Sequence, residues 1–151
     1  MADKKQYQPL IDFINERAAI WQERLCLSHW HIDHAFLDSY FGDDGEEDFK
    51  ITATTEGRWN YFQAKIKWYM PSAIRHNLDE IERCLVHELC HVILLPEQVL
   101  IDVTLETEAE GLENNQADSL TERYHELLEL STEMATRAIW KAWEKTPVPP
   151  V

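Results

Sequence analysis

The sequence predicts an α+β domain, and three observations carry that prediction. Apolar residues recur at three- and four-residue spacing near the N-terminus, in the middle of the chain and near the C-terminus, as amphipathic helices require. Between residues 28 and 70 the pattern switches to strict alternation, the signature of strands with one buried face. At 151 residues with 44% hydrophobic content and six tryptophans, the chain is long enough to bury a core without disulfides. The expected layout is one domain over residues 1–151: an N-terminal helix, a small, mostly antiparallel sheet of about three strands, a central helix and a long C-terminal helix.

The first helix is expected over residues 8–27. Leu10, Phe13, Ile14, Ala18, Trp21 and Leu25 share one face, and Pro9 suits a first turn, where its missing N–H costs nothing. In the next stretch Trp30, Ile32, His34 and Phe36 alternate with His31, Asp33, Ala35 and Leu37, which suits a strand. His29 and His31 would share one face of that strand and His34 the other, so the three do not converge on a single metal. Residues 38–47 read as an acidic turn; their Asp and Gly spacing does not meet a calcium-loop pattern. A hairpin follows. Phe49, Ile51 and Ala53 form the apolar face of its first strand, and Phe62, Ala64, Ile66, Trp68 and Met70 that of its second, with Gly57 supplying the turn. A sheet edge beside the central helix could accept an extended peptide by strand addition.

Asn77 followed by Glu80 is a capping-box variant and opens a helix that Pro96 is expected to stop near Leu95. Residues 96–116 are acidic, lack a clear period and are expected to form a loop, with 98–104 a possible short strand. Helical spacing returns from Ala117 to Lys145 through Leu120, Tyr124, Leu127, Leu128, Ala135, Ala138, Ile139 and Ala142. The Pro-rich tail, 146–151, is expected to fray.

Composition restricts the partners. With 28 acidic against 14 basic residues the formal charge is −14, which disfavours nucleic acid, whose binding needs a basic surface. Cys26, Cys84 and Cys90 form no C-x-x-C pair, so they are expected as thiols in a reducing compartment. No signal peptide and no apolar run of membrane-spanning length is evident, and the expected location is the cytoplasm.

The chemistry sits in the predicted central helix, at His87-Glu88-Leu89-Cys90-His91. On a helix the i and i+4 imidazoles share one face and can offer two nitrogens to one metal ion, while Glu88, one residue round, can act as a base without ligating. A zinc site of this kind takes three protein ligands and keeps a fourth position open. The metzincin continuation is excluded, because Leu94 stands where its Gly would be and Glu97 where its third His would be. The third ligand must come from further along, where Glu122, His125, Glu126, Glu129 and Glu133 lie on the predicted last helix. The four glutamates share one stripe, whose plain reading is a solvated acidic face. Glu133 leads, because Leu130, Met134 and Trp140 flank it; Glu129, Glu126 and His125 stay open.

Three stretches together, Leu27-Ser28-His29-Trp30-His31-Ile32, Leu85-Val86-His87-Glu88-Leu89-Cys90-His91-Val92-Ile93-Leu94-Leu95-Pro96 and Glu133-Met134-Ala135-Thr136-Arg137-Ala138, resemble the short metallopeptidases carried by phages and prophages. These are small zincins, distantly similar to SprT-like and ImmA/IrrE-type proteins. The resemblance implies a minimal zincin-like fold, with a glutamate on the helix after H-E-x-x-H completing the metal site. Glu133-Met134-Ala135-Thr136-Arg137-Ala138-Ile139 matches the family's E-x-x-[TN]-x-x-A segment loosely, with Ile139 in place of the final Ala.

The expected function is therefore zinc-dependent hydrolysis of peptide bonds in a peptide or protein substrate. His87, His91 and Glu133 would hold Zn²⁺ and Glu88 would be the general base. Tyr69, Tyr124 and His125 are candidate donors to the oxyanion. The alternative is a non-catalytic binding or regulatory module that keeps zinc for structure.

Overall fold

Gln8–Arg24 forms α1, preceded by a 3₁₀ turn at Lys4–Tyr7, with Pro9 in the first turn as expected. The computed structural model describes residues 4–42, 50–109 and 114–143. The fold is α+β. By contact density the chain divides into two compact units, Met1–Val92 and Ile93–Val151.

In the first unit, α1 is followed by strands β1 (His31–Leu37), β2 (Ala53–Arg58) and β3 (Gln63–Tyr69), a single turn α2 (Met70–Ala73) and the start of α3 (Leu78–Ala109). The strands form one mixed sheet in the order β1-β3-β2, with β3 central, parallel to β1 and antiparallel to β2. Register decides which side chains face inward. Ile32, His34 and Phe36 pair with Ala64, Ile66 and Trp68, which in turn pair with Gly57, Thr55 and Ala53. This is the core face: Ile66 and Trp68 are fully buried, and Ala53 and Ala64 nearly so. The opposite face carries His31, Asp33, Glu56, Lys65 and Lys67, with Lys67 Nζ 2.5 Å from Glu56 Oε2.

The hairpin differs from the sequence expectation. Gly57 is not the turn; it lies within β2, opposite Ala64. The turn is a 3₁₀ turn at Trp59–Tyr61 closed by Phe62 in the left-handed region, with φ 50°. A bulky residue there costs about 1–2 kcal/mol. Offsetting this, the Phe62 carbonyl accepts the His31 N–H at 2.8 Å, and its ring packs edge-on against His29 and Trp30. Pairing therefore runs on past Gly57, and the strand begins at Ala53 rather than near residue 49. Ile51 precedes the strand, while Phe49 and the acidic stretch 43–48 lie outside the described residues.

α1 and α3 are joined by a polar lock inside the first unit. Glu82 Oε1 accepts from Arg17 Nε and from Trp21 Nε1, both at 2.7 Å, and also from Arg17 Nη2. Around it Ile14, Ile81, Leu85, Val86 and Leu89 are fully buried.

α3 does not stop at Pro96 but continues to Ala109, so the expected loop over 96–116 is helical as far as residue 109; residues 110–113 lie outside the described ones. Proline removes only its own N–H bond, to the carbonyl four residues earlier, and a helix can continue past it when the following residues are well satisfied. Here Leu105, beyond the proline, is buried and anchors the continued helix. Leu78–Leu105 is long and apolar enough to cross a membrane, with a mean hydropathy of 1.5 in its most apolar window. Its fully buried Ile81, Leu85, Val86 and Leu89 and the engagement of Glu82 with α1 are those of a core helix.

In the second unit α4 spans Asn114–Trp143. Its inward arc is Leu128, Thr132 and Thr136, whose threonine hydroxyls bond back to the carbonyls of Leu128 and Thr132. Leu127, expected inside, is exposed, as are Leu130 and Met134. The tail 146–151 lies outside the described residues.

Candidate metal centre

The motif helix is set by its cap. The Asn77 side chain accepts the Glu80 N–H and the Glu80 carboxylate accepts the Asn77 N–H, both at 2.9 Å, the reciprocal box expected from the sequence. Burial of Ile81, Leu85, Val86 and Leu89 then fixes the rotation of α3 about its axis. With that face turned inward, His87 and His91 project together, one helical turn apart, with ring centroids at 4.9 Å and planes at 81°. Both are half-buried.

Glu88 lies between them in sequence and is only 5% exposed. A carboxylate so enclosed needs hydrogen-bond donors. One comes from β2: Thr55 Oγ1 donates to Glu88 Oε2 at 2.7 Å and also lies 3.2 Å from the Glu88 carbonyl oxygen. One turn before Glu88, burial raises the Cys84 thiol pKa well above the ordinary range, and the Glu88 charge adds to the effect. All three cysteines are free.

Thr55 is the residue that sequence reasoning missed. The alternation Ile51, Ala53 already pointed to it, since the next position on that apolar face is a hydroxyl, a group that needs a partner when it faces a core.

The remaining first-unit candidates separate from this centre. Tyr69 OH lies 3.3 Å from Thr54 Oγ1, on the sheet face opposite Thr55, so it is not beside Glu88. His31 is exposed and 3.3 Å from Asp33, and the His29 ring rests on Phe62. His34 faces inward, its Nδ1 accepting the Trp68 indole N–H at 3.1 Å; burial lowers its pKa.

In the second unit the candidate carboxylates line α4. Glu122, Glu126 and Glu129 are exposed, and Glu133 is half-buried with Oε1 accepting from Arg137 Nε at 2.6 Å. His125 is exposed, 3.8 Å from Asp102, and Tyr124 is half-buried. At about 100° per residue, Glu129 lies about 60° from the centre of the buried arc Leu128–Thr132–Thr136, and Glu133 about 100° away. Glu129 is nearer the arc by angle, while Glu133 is the more buried of the two.

Comparison with known proteins returned no match: no family model, no curated protein and no solved structure matches the chain.

Proposed function

We propose that the protein is a zinc-dependent metallopeptidase. The observation that carries this reading is the pairing of two half-buried imidazoles on one face of α3 with a buried carboxylate at the position between them. We propose His87 and His91 as two of the metal ligands, with a third protein donor, Glu133 in the sequence reading, completing the set. Two imidazole nitrogens and one carboxylate oxygen are the donor chemistry of catalytic zinc, and three ligands leave a position open.

Bound zinc would supply Lewis acidity toward a peptide carbonyl and acidify water at the site. His87 and His91 must be neutral to ligate, so metal binding weakens as they protonate. Glu88 takes a proton from the attacking water at a carboxylate oxygen and returns it to the leaving amine. Its enclosure keeps bulk water from competing for that proton. The substrate class is a peptide or protein, and the resemblance to phage and prophage metallopeptidases supports the same assignment.

The test is Glu88→Gln, assayed on fluorescein-labelled casein with zinc measured on the same sample. Hydrolysis should fall by about 100- to 10,000-fold while zinc content stays at wild-type level. A Glu88→Gln chain as active as the wild type would remove Glu88 from the reaction.

A further inference from the structure

Most elements of the first unit present apolar side chains to its core, yet β2 presents a hydroxyl. Thr55 pairs with Ile66 on the inner face of the sheet, and its Oγ1 reaches Glu88 Oε2 at 2.7 Å. We infer that Thr55 is the positioning residue for the Glu88 carboxylate, holding it in one orientation toward the reacting water. This inference rests on the reading of Glu88 as general base.

Three features support it. First, a glutamate side chain has three rotatable bonds, and ordering one costs conformational entropy; a charge-assisted bond of this length from a strand is strong enough to select one rotamer. Second, the donor is rigidly held. Thr55 is β-branched, with a restricted χ1, and lies inside a ladder bounded by Thr54–Lys67 and Glu56–Lys65 pairs. Third, the hydroxyl occupies one carboxylate oxygen. A donor fixed on Oε2 holds the orientation of the whole carboxylate group. The additional approach of Oγ1 to the Glu88 carbonyl at 3.2 Å places the hydroxyl over the motif backbone itself. The proton is shared unequally, with the shorter carboxylate contact dominant.

The role is one of orientation. Partners of this kind around metal sites typically contribute 10- to 100-fold to activity. Thr55→Val keeps shape and β-branching while deleting the donor, and Thr55→Ser restores the donor without the methyl. Thr54→Val, on the opposite sheet face, is the control for changes in β2 alone.

Two readouts on the full chain test the inference. The first needs no catalysis: side-chain NMR couplings of Glu88 should report one rotamer in the wild type, Thr55→Ser and Thr54→Val, and rotamer averaging in Thr55→Val. The second uses the zinc-loaded chain on labelled casein. Thr55→Val should lower kcat by about 10- to 100-fold with KM and zinc content unchanged, and Thr55→Ser should recover most of the loss. A wild-type chain that binds zinc but leaves casein intact counts against the peptidase reading, while the rotamer measurement still decides the positioning claim. A Glu88 side chain equally ordered in Thr55→Val, or a Thr55→Val enzyme with unchanged kcat, overturns the inference.

Discussion

At the scale of single residues, the first unit shows how burial gives a side chain its chemistry. Glu88 and His34 are both ionisable groups turned inward, with different surroundings. Glu88 has a strand hydroxyl on one oxygen. His34 has the Trp68 N–H on Nδ1, while Nε2 is buried without a hydrogen-bond partner among the described residues. Burial lowers the His34 pKa below 6.5, with the nearby Asp33 charge opposing the shift only in part. Because the folded value is the lower one, the unfolded chain takes up the proton first as pH falls. His34 therefore contributes no pH dependence above 6.5, and stability declines as pH drops below 6.5 until the folded-state value is passed. Urea midpoints measured between pH 7.5 and pH 5 should fall in the wild type and fall less in His34→Gln, roughly as linkage requires. Equal slopes for the two proteins would contradict this account. The motif histidines and Glu88 were legible from spacing alone, because i and i+4 on a helix is a geometric statement. Thr55 was not, because its partner lies 33 residues away and nothing in the local sequence announces that contact.

At the scale of elements, the outcome was set by whether local signals competed with longer-range pairing. The capping box at Asn77 and Glu80 formed as the sequence implied, since both partners lie within one turn. Asn77→Ala should cost about 1 kcal/mol, read from thermal unfolding, with the spectroscopic helix content otherwise retained. Gly57 and Pro96 misled because both are local markers that tertiary context overrode. Pairing of β2 with β3 continues past the glycine, and α3 continues past the proline to Ala109. The Arg17–Glu82–Trp21 cluster makes the opposite point: an acid in the first turns of α3 that looks solvated in sequence is the acceptor for α1. Glu82→Ala removes this acceptor from a nearly buried guanidinium and an indole N–H, and should destabilise by about 3–5 kcal/mol in urea unfolding. A loss below about 1 kcal/mol would place the pair among ordinary surface bridges.

At the scale of the whole molecule, the α+β class followed from periodicity. The mixed sheet, with β3 between its neighbours, needed the structure, because alternation specifies a buried face without specifying neighbours. The acidic balance of the chain has a local exception on the outer face of the sheet, where Lys65 and Lys67 lie, but Glu56 pairs with Lys67 and offsets it. On the proposed reading the first unit supplies two imidazoles and a base. Chelation separates catalytic from structural zinc: a catalytic site predicts an apoprotein that stays folded and loses only hydrolysis, whereas unfolding on metal removal favours the structural alternative. The central claim, that His87 and His91 hold a zinc ion, is tested most directly by metal stoichiometry on purified wild-type, His87→Ala, His91→Ala, Glu129→Gln and Glu133→Gln chains. The account predicts about one zinc per chain for the wild type, loss in both histidine variants and marked weakening in the glutamate variant that removes the third ligand. A folded wild-type chain that takes up no zinc, or histidine variants that keep it, would contradict the account.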